Sequence, residues 1–383
     1  MAEHERQSQH ALSLALHHCI LILSLLAPPF RHRRAFFLPL IICTYQPLLR
    51  PYNDDPMVSY GIATLWVFTL RVLTIHVFSH PTPEAALYRP KLEKPGAAEG
   101  YPLPKKLWWT LSLLVAQRGV GWNNVVANLP TARRRGRLGY MARALGKMLV
   151  LYLLQDISRL IVLQQAWMLP PNHPSYRPLS DPERSAPARF VDMVTNGVNA
   201  WGYMEFQYLL LSLIFVGLGD DEASWPPLFG DLRDAYTLQN LWGRVWHGML
   251  RESLVLWGRA LADRMGLRKG TPRFLVMVGT GFMISAVGHA SAIWTVDKHL
   301  GDGALRFFCM QALGIGLETG AMMAWRRMGG KDGELWKWVG YLWTVAWLTY
   351  TCSMQQEEFV AIGLYSRELL PWSIMRWALG IQQ

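Results

Sequence analysis

Apolar residues gather into helix-length runs separated by short polar or basic stretches, near 11–29, 35–49, 57–79, 148–169, 203–219, 273–296, 304–325 and 338–354. A helix needs roughly 20 mostly apolar residues to cross about 30 Å of hydrocarbon. The pattern therefore predicts an all-α fold, a polytopic transmembrane helical bundle of about eight spans, within a range of about seven to ten. The second run is short and contains Pro39, which predicts a partial or kinked span. Residues 107–129 and 357–380 are apolar but interrupted, as expected of interfacial or re-entrant helices. The first run does not read as a cleavable signal peptide. Glu3, Glu5 and Arg6 precede it with mixed charge, and it ends in Ala27-Pro28-Pro29 without a small-x-small site.

The polar stretches between runs alternate in charge. One set carries Arg31, Arg33 and Arg34, then Arg133, Arg134, Arg135, Arg137 and Lys147. It continues with Arg244, Arg251, Arg259, Arg264, Arg268 and Lys269, and ends with Arg326, Arg327 and Lys331. The opposite set holds Asp54, Asp55, the proline-rich 170–189 stretch and the segment from Asp297 to Asp302. Excess Lys and Arg marks the cytosolic side, which would leave both termini in the lumen. Trp108, Trp109, Trp294, Trp325, Trp336 and Trp338 fall at predicted span ends, where an aromatic belt is expected.

Composition agrees. Hydrophobic residues make up 51% of the 383 and charged residues 17%, where soluble chains carry about 25%. The formal charge of +11 (38 Lys+Arg less 27 Asp+Glu) is then an orientation signal with anionic lipid and phosphate as neighbours, and calls for no nucleic acid. No internal repeat is visible, and residues 80–106 and 170–189 read as solvated connectors, so residues 1–383 are expected to form a single membrane-embedded domain. Cys19, Cys43, Cys309 and Cys352 lie singly in apolar runs without a C-x-x-C pair, which predicts buried thiols and no metal site.

Ionisable groups inside spans are costly and mark function or an internal pair. Here they are Arg71, His76, Asp156, Arg159, Glu205, His289 and Glu318. Asp156 and Arg159, three residues apart, are expected to neutralise one another. Arg71, His76 and Glu205 lie near span ends and are expected to reach the interface. His289 differs, because Val278–Val296 is otherwise apolar and has no acidic residue within two turns. Gly281, Ser285, Gly288, His289 and Ala292 share one helical face. Such a face either admits a close neighbouring helix or leaves room for a ligand.

A second cluster lies in the longest basic segment. Asn240 to Trp257 reads NLWGRVWHGMLRESLVLW, which as one amphipathic helix places Trp242, Trp246, Met249, Leu250, Leu254 and Trp257 on an interfacial face. Arg244, His247 and Arg251 then share the other face. Two guanidiniums beside an imidazole suit phosphate oxygens, or else simply meet lipid headgroups.

Three motifs carry a family resemblance. The run from Trp225 to His247, WPPLFGDLRDAYTLQNLWGRVWH, resembles the signature of the wax-synthase-like branch of the membrane-bound O-acyltransferases (MBOAT). That branch shows W-P-P-x-F-G, a Tyr-x-Leu step and F-W-G-R-R-W-H. RGVGWN at Arg118 to Asn123 is similar to its R-G-I-G-W-N segment, and SAVGH at Ser285 to His289 to its S-G-x-x-H on a span. The chain departs from the pattern at Leu241 (Phe), Val245 (Arg) and Ala286 (Gly), which touches packing and one phosphate contact.

The resemblance implies an MBOAT-like bundle with its motif core near 225–325, in the endoplasmic reticulum membrane, with the basic loops and the Trp-His segment cytosolic. It implies acyl transfer from acyl-CoA, most readily acetyl-CoA, to the hydroxyl of a lipophilic alcohol, with no permanently bound cofactor. His289 would be the general base and His247 would orient or stabilise the thioester oxygen. Arg244 and Arg251 would hold coenzyme A phosphates, with Asn240, Trp242 and Trp246 beside them, while Ser285 and Gly288 would line the alcohol's position. Membrane lipid is the remaining partner, and a homodimer is open on the sequence alone. The motif versions look like the fungal set, which acetylates terpenoids or meroterpenoids in secondary metabolism; long-chain wax or sterol esters are the alternative. From Arg273 to His289 is 16 residues (289 − 273), about 24 Å of helix, so the 225–260 segment must dip into the bundle to meet it. Gly230, Gly243 and Gly248 would ease that entry.

Rival classes fit less well. A soluble-type acyltransferase needs H-x-x-x-D, but Ile293 and Arg251 stand four residues after the two histidines. A membrane prenyltransferase needs D-D-x-x-D spacing, absent at Asp54-Asp55 and at Asp220-Asp221-Glu222. An integral-membrane terpene cyclase would leave the Trp-His segment unexplained, and a non-catalytic lipid-binding protein predicts that His289→Ala and wild type behave alike.

Overall fold

The computed structural model describes residues 2–30, 32–46, 55–130, 136–170, 172–331, 333–365 and 372–380, and no strand occurs among them. The first helices are α1 (Ala2–Leu26), α2 (Phe37–Tyr45), α3 (Pro56–Ala63), α4 (Trp66–Phe78), α5 (Pro83–Ala86) and α6 (Leu103–Val115). Next come α7 (Arg137–Leu163), α8 (Ala186–Gly217), α9 (Leu238–Asn240) and α10 (Arg251–Arg264). The chain continues with α11 (Gly270–Trp294), α12 (Asp302–Arg327), α13 (Glu334–Ala361) and α14 (Ile374–Ala378). Arg31, Asp54, Arg133, Arg134 and Arg135 lie outside the described residues, as do the end of the 35–49 run and residues 366–371.

Each predicted apolar run coincides with a helix, but fewer meet the demands of a bilayer. Among the described residues, Pro56–Phe78, Gly270–Trp294 and Asp302–Arg327 are long and apolar enough to cross. α7, α8 and α13 have the length, at 27, 32 and 28 residues, but interleave polar groups. α2, with 9 residues, and α6, with 13, reach only about 14 and 20 Å at 1.5 Å per residue. Among the described residues, three of the expected spans stand on length and apolarity.

The chain divides into two compact units, Met1–Asn128 with Gly248–Leu313, and Leu129–His247 with Gly314–Gln383. In the first, Leu25, Leu40, Val72, Ile75, Trp109 and Leu113 form a buried core. The 80–106 connector is largely exposed, with Leu92 72% accessible, but it is pinned to that unit through Glu84, Leu87, Ala98 and Lys106. Glu84 is fully buried and accepts from Arg33 at 2.8 and 2.9 Å and from Lys106 at 2.6 Å. A carboxylate survives such burial only when paired.

Two expectations for groups near span ends also fail in this unit, because both groups are buried inside it. Arg71, 2% exposed, pairs with Glu252 of α10 and donates to the Ala116 carbonyl at 3.3 Å. His76 is buried against Phe37, ring centroids 6.1 Å apart. α10 and α11 pack along one another across a tight turn. There Gly266, at φ 72°, lets the Leu267 N–H reach the Ala262 carbonyl at 2.9 Å and close the end of α10.

In the second unit α8 packs against α7 and α13. Glu205 does not reach the interface; it is buried and accepts from Lys147 at 2.6 Å. Asp156 and Arg159 do not neutralise one another. Asp156 accepts from the Ser373 hydroxyl at 2.6 Å and the Met375 N–H at 2.9 Å, satisfying the first turn of α14, while Arg159 donates to the Tyr365 carbonyl. The 170–189 connector is also tied down, with Leu179 buried and Arg184 bonded to Asp192 at 2.7 and 2.9 Å. Among the cysteines Cys43 is buried, Cys352 half-buried, and Cys19 and Cys309 exposed, so the expectation of buried thiols fails at Cys19 and Cys309.

Candidate active site

His289 stands on α11, one turn from its end, and its ring is held by packing. The imidazole stacks on Phe308 of α12, centroids 4.8 Å apart and planes 20° apart. The edge of Trp66, the first residue of α4, meets it at 5.9 Å and 78°. Gly288 makes that approach feasible, since a Cβ there would collide with the Trp66 indole. Gly281 faces Leu254 of α10, and the Ser285 hydroxyl donates to the Gly281 carbonyl at 3.1 Å. The small-residue face therefore admits close neighbours at Gly281 and Gly288. His289 itself remains half-buried, while its Nδ1 is buried without a hydrogen-bond partner among the described residues. Among the described residues no carboxylate bonds to this Nδ1, as one does in a Ser-His-Asp triad.

The same unit holds the RGVGWN loop. Asn123 pins it to residues 86–88, exchanging bonds with Tyr88 at 3.0 and 3.1 Å and donating to the Ala86 carbonyl at 2.8 Å. Asn124 donates to Glu252 at 2.7 Å, so the carboxylate that neutralises Arg71 also holds this loop. Arg118 is buried beside them.

His247 lies in the second unit, at the end of a segment that folds through its backbone. Thr237 caps α9 by accepting from the Asn240 N–H at 3.0 Å. Glu318 of α12 accepts from the Leu238 N–H at 2.7 Å, so this carboxylate anchors the start of the segment. Leu241–Val245 then form a π-helical turn closed by the Trp246 N–H on the Leu241 carbonyl at 2.7 Å. The two halves of the long motif meet where the Gly230 N–H donates to the Val245 carbonyl at 2.8 Å. A Cβ on Gly230 would run into the Arg244 carbonyl. Phe229 sets its edge to Trp246 at 5.2 Å and to His247 at 6.2 Å, and Trp242 lies 5.9 Å from Trp246.

This geometry overturns the single amphipathic helix expected from Asn240 to Trp257. Trp246 is extended, at φ −68° and ψ 151°, and regular helix resumes only at Arg251. The π turn and the pull of Gly230 on Val245 break the ladder on which three- and four-residue spacings depend. Arg244, His247 and Arg251 consequently do not share a helical face. Arg244 is exposed, His247 half-buried, and Arg251, in the other unit, donates to the Ala127 carbonyl at 2.8 Å. Among the described residues no three His, Cys, Asp or Glu side chains gather to hold a metal ion.

Comparison with known proteins bears on the chemistry. Residues 225–310, which take in His247, Ser285, Gly288 and His289, match the model of the Membrane bound O-acyl transferase family. Acetyltransferase ataH of Aspergillus terreus is 31% identical over 303 residues, 70% of this chain and 94% of that protein. The chain belongs to the membrane bound O-acyl transferase family. Acetyltransferase ple2 of Rhodocybe pseudopiperita is 28% identical over 383 residues, 94% of this chain and 97% of its own length. The O-Mevalon transferase macI of Penicillium terrestre is 27% identical over 288 residues, 68% of this chain and 64% of that protein. As a member of this O-acyltransferase family the chain is a membrane enzyme. Trp66, Phe308, Asn124 and Glu252 escaped sequence reasoning, since nothing in their local pattern distinguishes them from ordinary helix or loop residues. Glu318 was visible only as a costly intramembrane acid.

Proposed function

We propose that this O-acyltransferase moves an acetyl group from acetyl-CoA to a hydroxyl of a terpenoid or meroterpenoid. The observation that carries the assignment is an intramembrane imidazole, His289, held by two aromatic rings with a buried, unpartnered Nδ1. Relatives named acetyltransferases support the donor. Those named O-mevalon transferases favour, as a second reading, a larger acyl group on the same chemistry.

In the proposed step the alcohol gives its proton to the imidazole of His289 as its oxygen forms a bond to the thioester carbonyl carbon. The C–S bond breaks, and the departing coenzyme A thiolate recovers that proton. Imidazole suits both halves because it accepts and returns a proton near neutral pH. His247 stabilises the carbonyl oxygen as it gains charge. Arg244 attracts coenzyme A phosphates, with Asn240, Trp242 and Trp246 in the same segment; Arg251 is a further candidate for those phosphates, and Ser285 and Gly288 shape the wall next to the base. No covalent acyl-enzyme is formed. Residues 1–383 act as one acyltransferase domain in the endoplasmic reticulum membrane, with the basic loops and the Trp-His segment on the cytosolic side. The further helices complete a multi-pass bundle of about eight spans.

Mass spectrometry of products tests the assignment. Microsomes carrying the wild type or His289→Ala are given acetyl- or palmitoyl-CoA with a panel of terpenoid and fatty alcohols. The expected product is an acetyl ester on terpenoid alcohols, made by the wild type alone. Palmitoyl esters of fatty alcohols would move the assignment to wax synthesis. No ester from properly inserted wild type would count against acyl transfer.

A further inference from the structure

Two buried polar atoms in the first unit belong to rings in contact, and neither is used by the fold. Trp66 Nε1 and His289 Nδ1 both lack a hydrogen-bond partner among the described residues. Trp66 is 5% exposed, and the two ring centroids lie 5.9 Å apart. A buried polar group left unpaired carries the full cost of its desolvation, so each such group calls for an explanation. The indole is not free to turn outward, because its Cε2, the carbon bonded to Nε1, is seated over Gly288. The imidazole is likewise fixed on its other side by the stacked Phe308.

The two nitrogens have complementary needs. An indole N–H only donates, and an unprotonated imidazole nitrogen accepts. One hydroxyl group satisfies both, its O–H donating to the imidazole and its lone pair accepting from the indole. We infer that the acceptor alcohol is held by its oxygen between Trp66 Nε1 and His289 Nδ1, and that Trp66 is a catalytic residue stabilising the developing alkoxide. The inference rests on the acyl-transfer role proposed for His289. As the proton moves to Nδ1, charge grows on the alcohol oxygen until the C–O bond forms and the C–S bond breaks. Trp66 keeps its own proton throughout and supplies a fixed donor where that charge appears.

Trp66→Phe keeps an aromatic ring over Gly288 and removes the donor. With acetyl-CoA and the panel alcohol the wild type esterifies fastest, kcat is expected to fall about 10- to 100-fold, with KM for acetyl-CoA unchanged. The loss should be larger for weakly acidic hydroxyls than for fluorinated, more acidic analogues, a trend that mere packing would not produce. A rate within about twofold of wild type, or an equal loss for every alcohol, would overturn the role of Trp66. If Trp66→Phe fails to insert, wild-type inhibition decides. The alcohol's methyl ether still accepts from Trp66 and should inhibit about tenfold better than the deoxy analogue, whereas equal inhibition would overturn the proposal. A wild type that makes no ester at all would remove the acyl-transfer assignment, and this one with it. An active wild type with a fully active Trp66→Phe removes only the Trp66 assignment.

Discussion

His289 stands on an unbroken helix of 25 residues and is oriented by ring packing alone, between Phe308 and Trp66. His247 follows a π-helical turn and is oriented through backbone bonds, Trp246 to Leu241 and Gly230 to Val245, with Phe229 at its edge. The first arrangement leaves a nitrogen of the ring without a partner, which suits a group that must accept a proton. The second fixes a ring beside backbone that cannot move cheaply, which suits a group that must hold one position while charge develops. The same side chain is thus prepared for two tasks by two kinds of support.

The largest expected effects separate the two histidines directly. His289→Ala is expected to lower ester formation about 10²- to 10⁴-fold, the range for loss of a general base. His247→Ala should cost less, about 10²- to 10³-fold, as for loss of one oxyanion donor. Product formation at matched levels of inserted protein measures both, and a reversed order would exchange the assigned roles.

Adding one methyl group sharpens the contrast. Gly230→Ala drives a Cβ into the Arg244 carbonyl, and backbone cannot step aside, so a loss of about 1–3 kcal/mol is expected, seen as a lower melting temperature in detergent. Gly288→Ala adds a Cβ whose nearest atoms belong to the Trp66 side chain. It should cost less stability but a larger share of the rate, because the displaced ring is the one against His289. Equal effects on both readouts would mean that Trp66 does no more than pack.

Smaller effects follow. Glu318→Gln weakens the charge-assisted bond to the Leu238 N–H, for about 1 kcal/mol of stability, and thermal melting should show it with a modest loss of rate. Ser285→Ala removes only a bond within α11 to Gly281 and should stay within about 0.5 kcal/mol and twofold in rate. A loss as large as that of His289→Ala would instead place the Ser285 hydroxyl on the substrate.

Legibility in the sequence followed the continuity of the backbone. α11 is continuous, so spacings of three and four correctly grouped Gly281, Ser285, Gly288 and His289. From Asn240 to Trp257 the ladder is broken, and the same arithmetic misplaced Arg244, His247 and Arg251. There the motif resemblance picked out His247 but carried no information on how it is held. Apolar runs located the helices but not their polar ties: α7 and α8 are joined by Lys147 with Glu205, a pair that hydropathy does not reveal. Groups costly in a membrane were easy to notice. Their partners, Glu252 for Arg71 and Ser373 for Asp156, lie 181 and 217 residues away, beyond any local pattern.

The most direct test of the proton-accepting role of His289 is the pH dependence of ester formation by the wild type and His289→Gln, at saturating acetyl-CoA in the same membranes. The wild-type rate is expected to climb through a single ionisation and level off, and the residual rate of the variant to lack that limb. A variant that kept both the wild-type rate and the same rising limb would show that another group takes the proton.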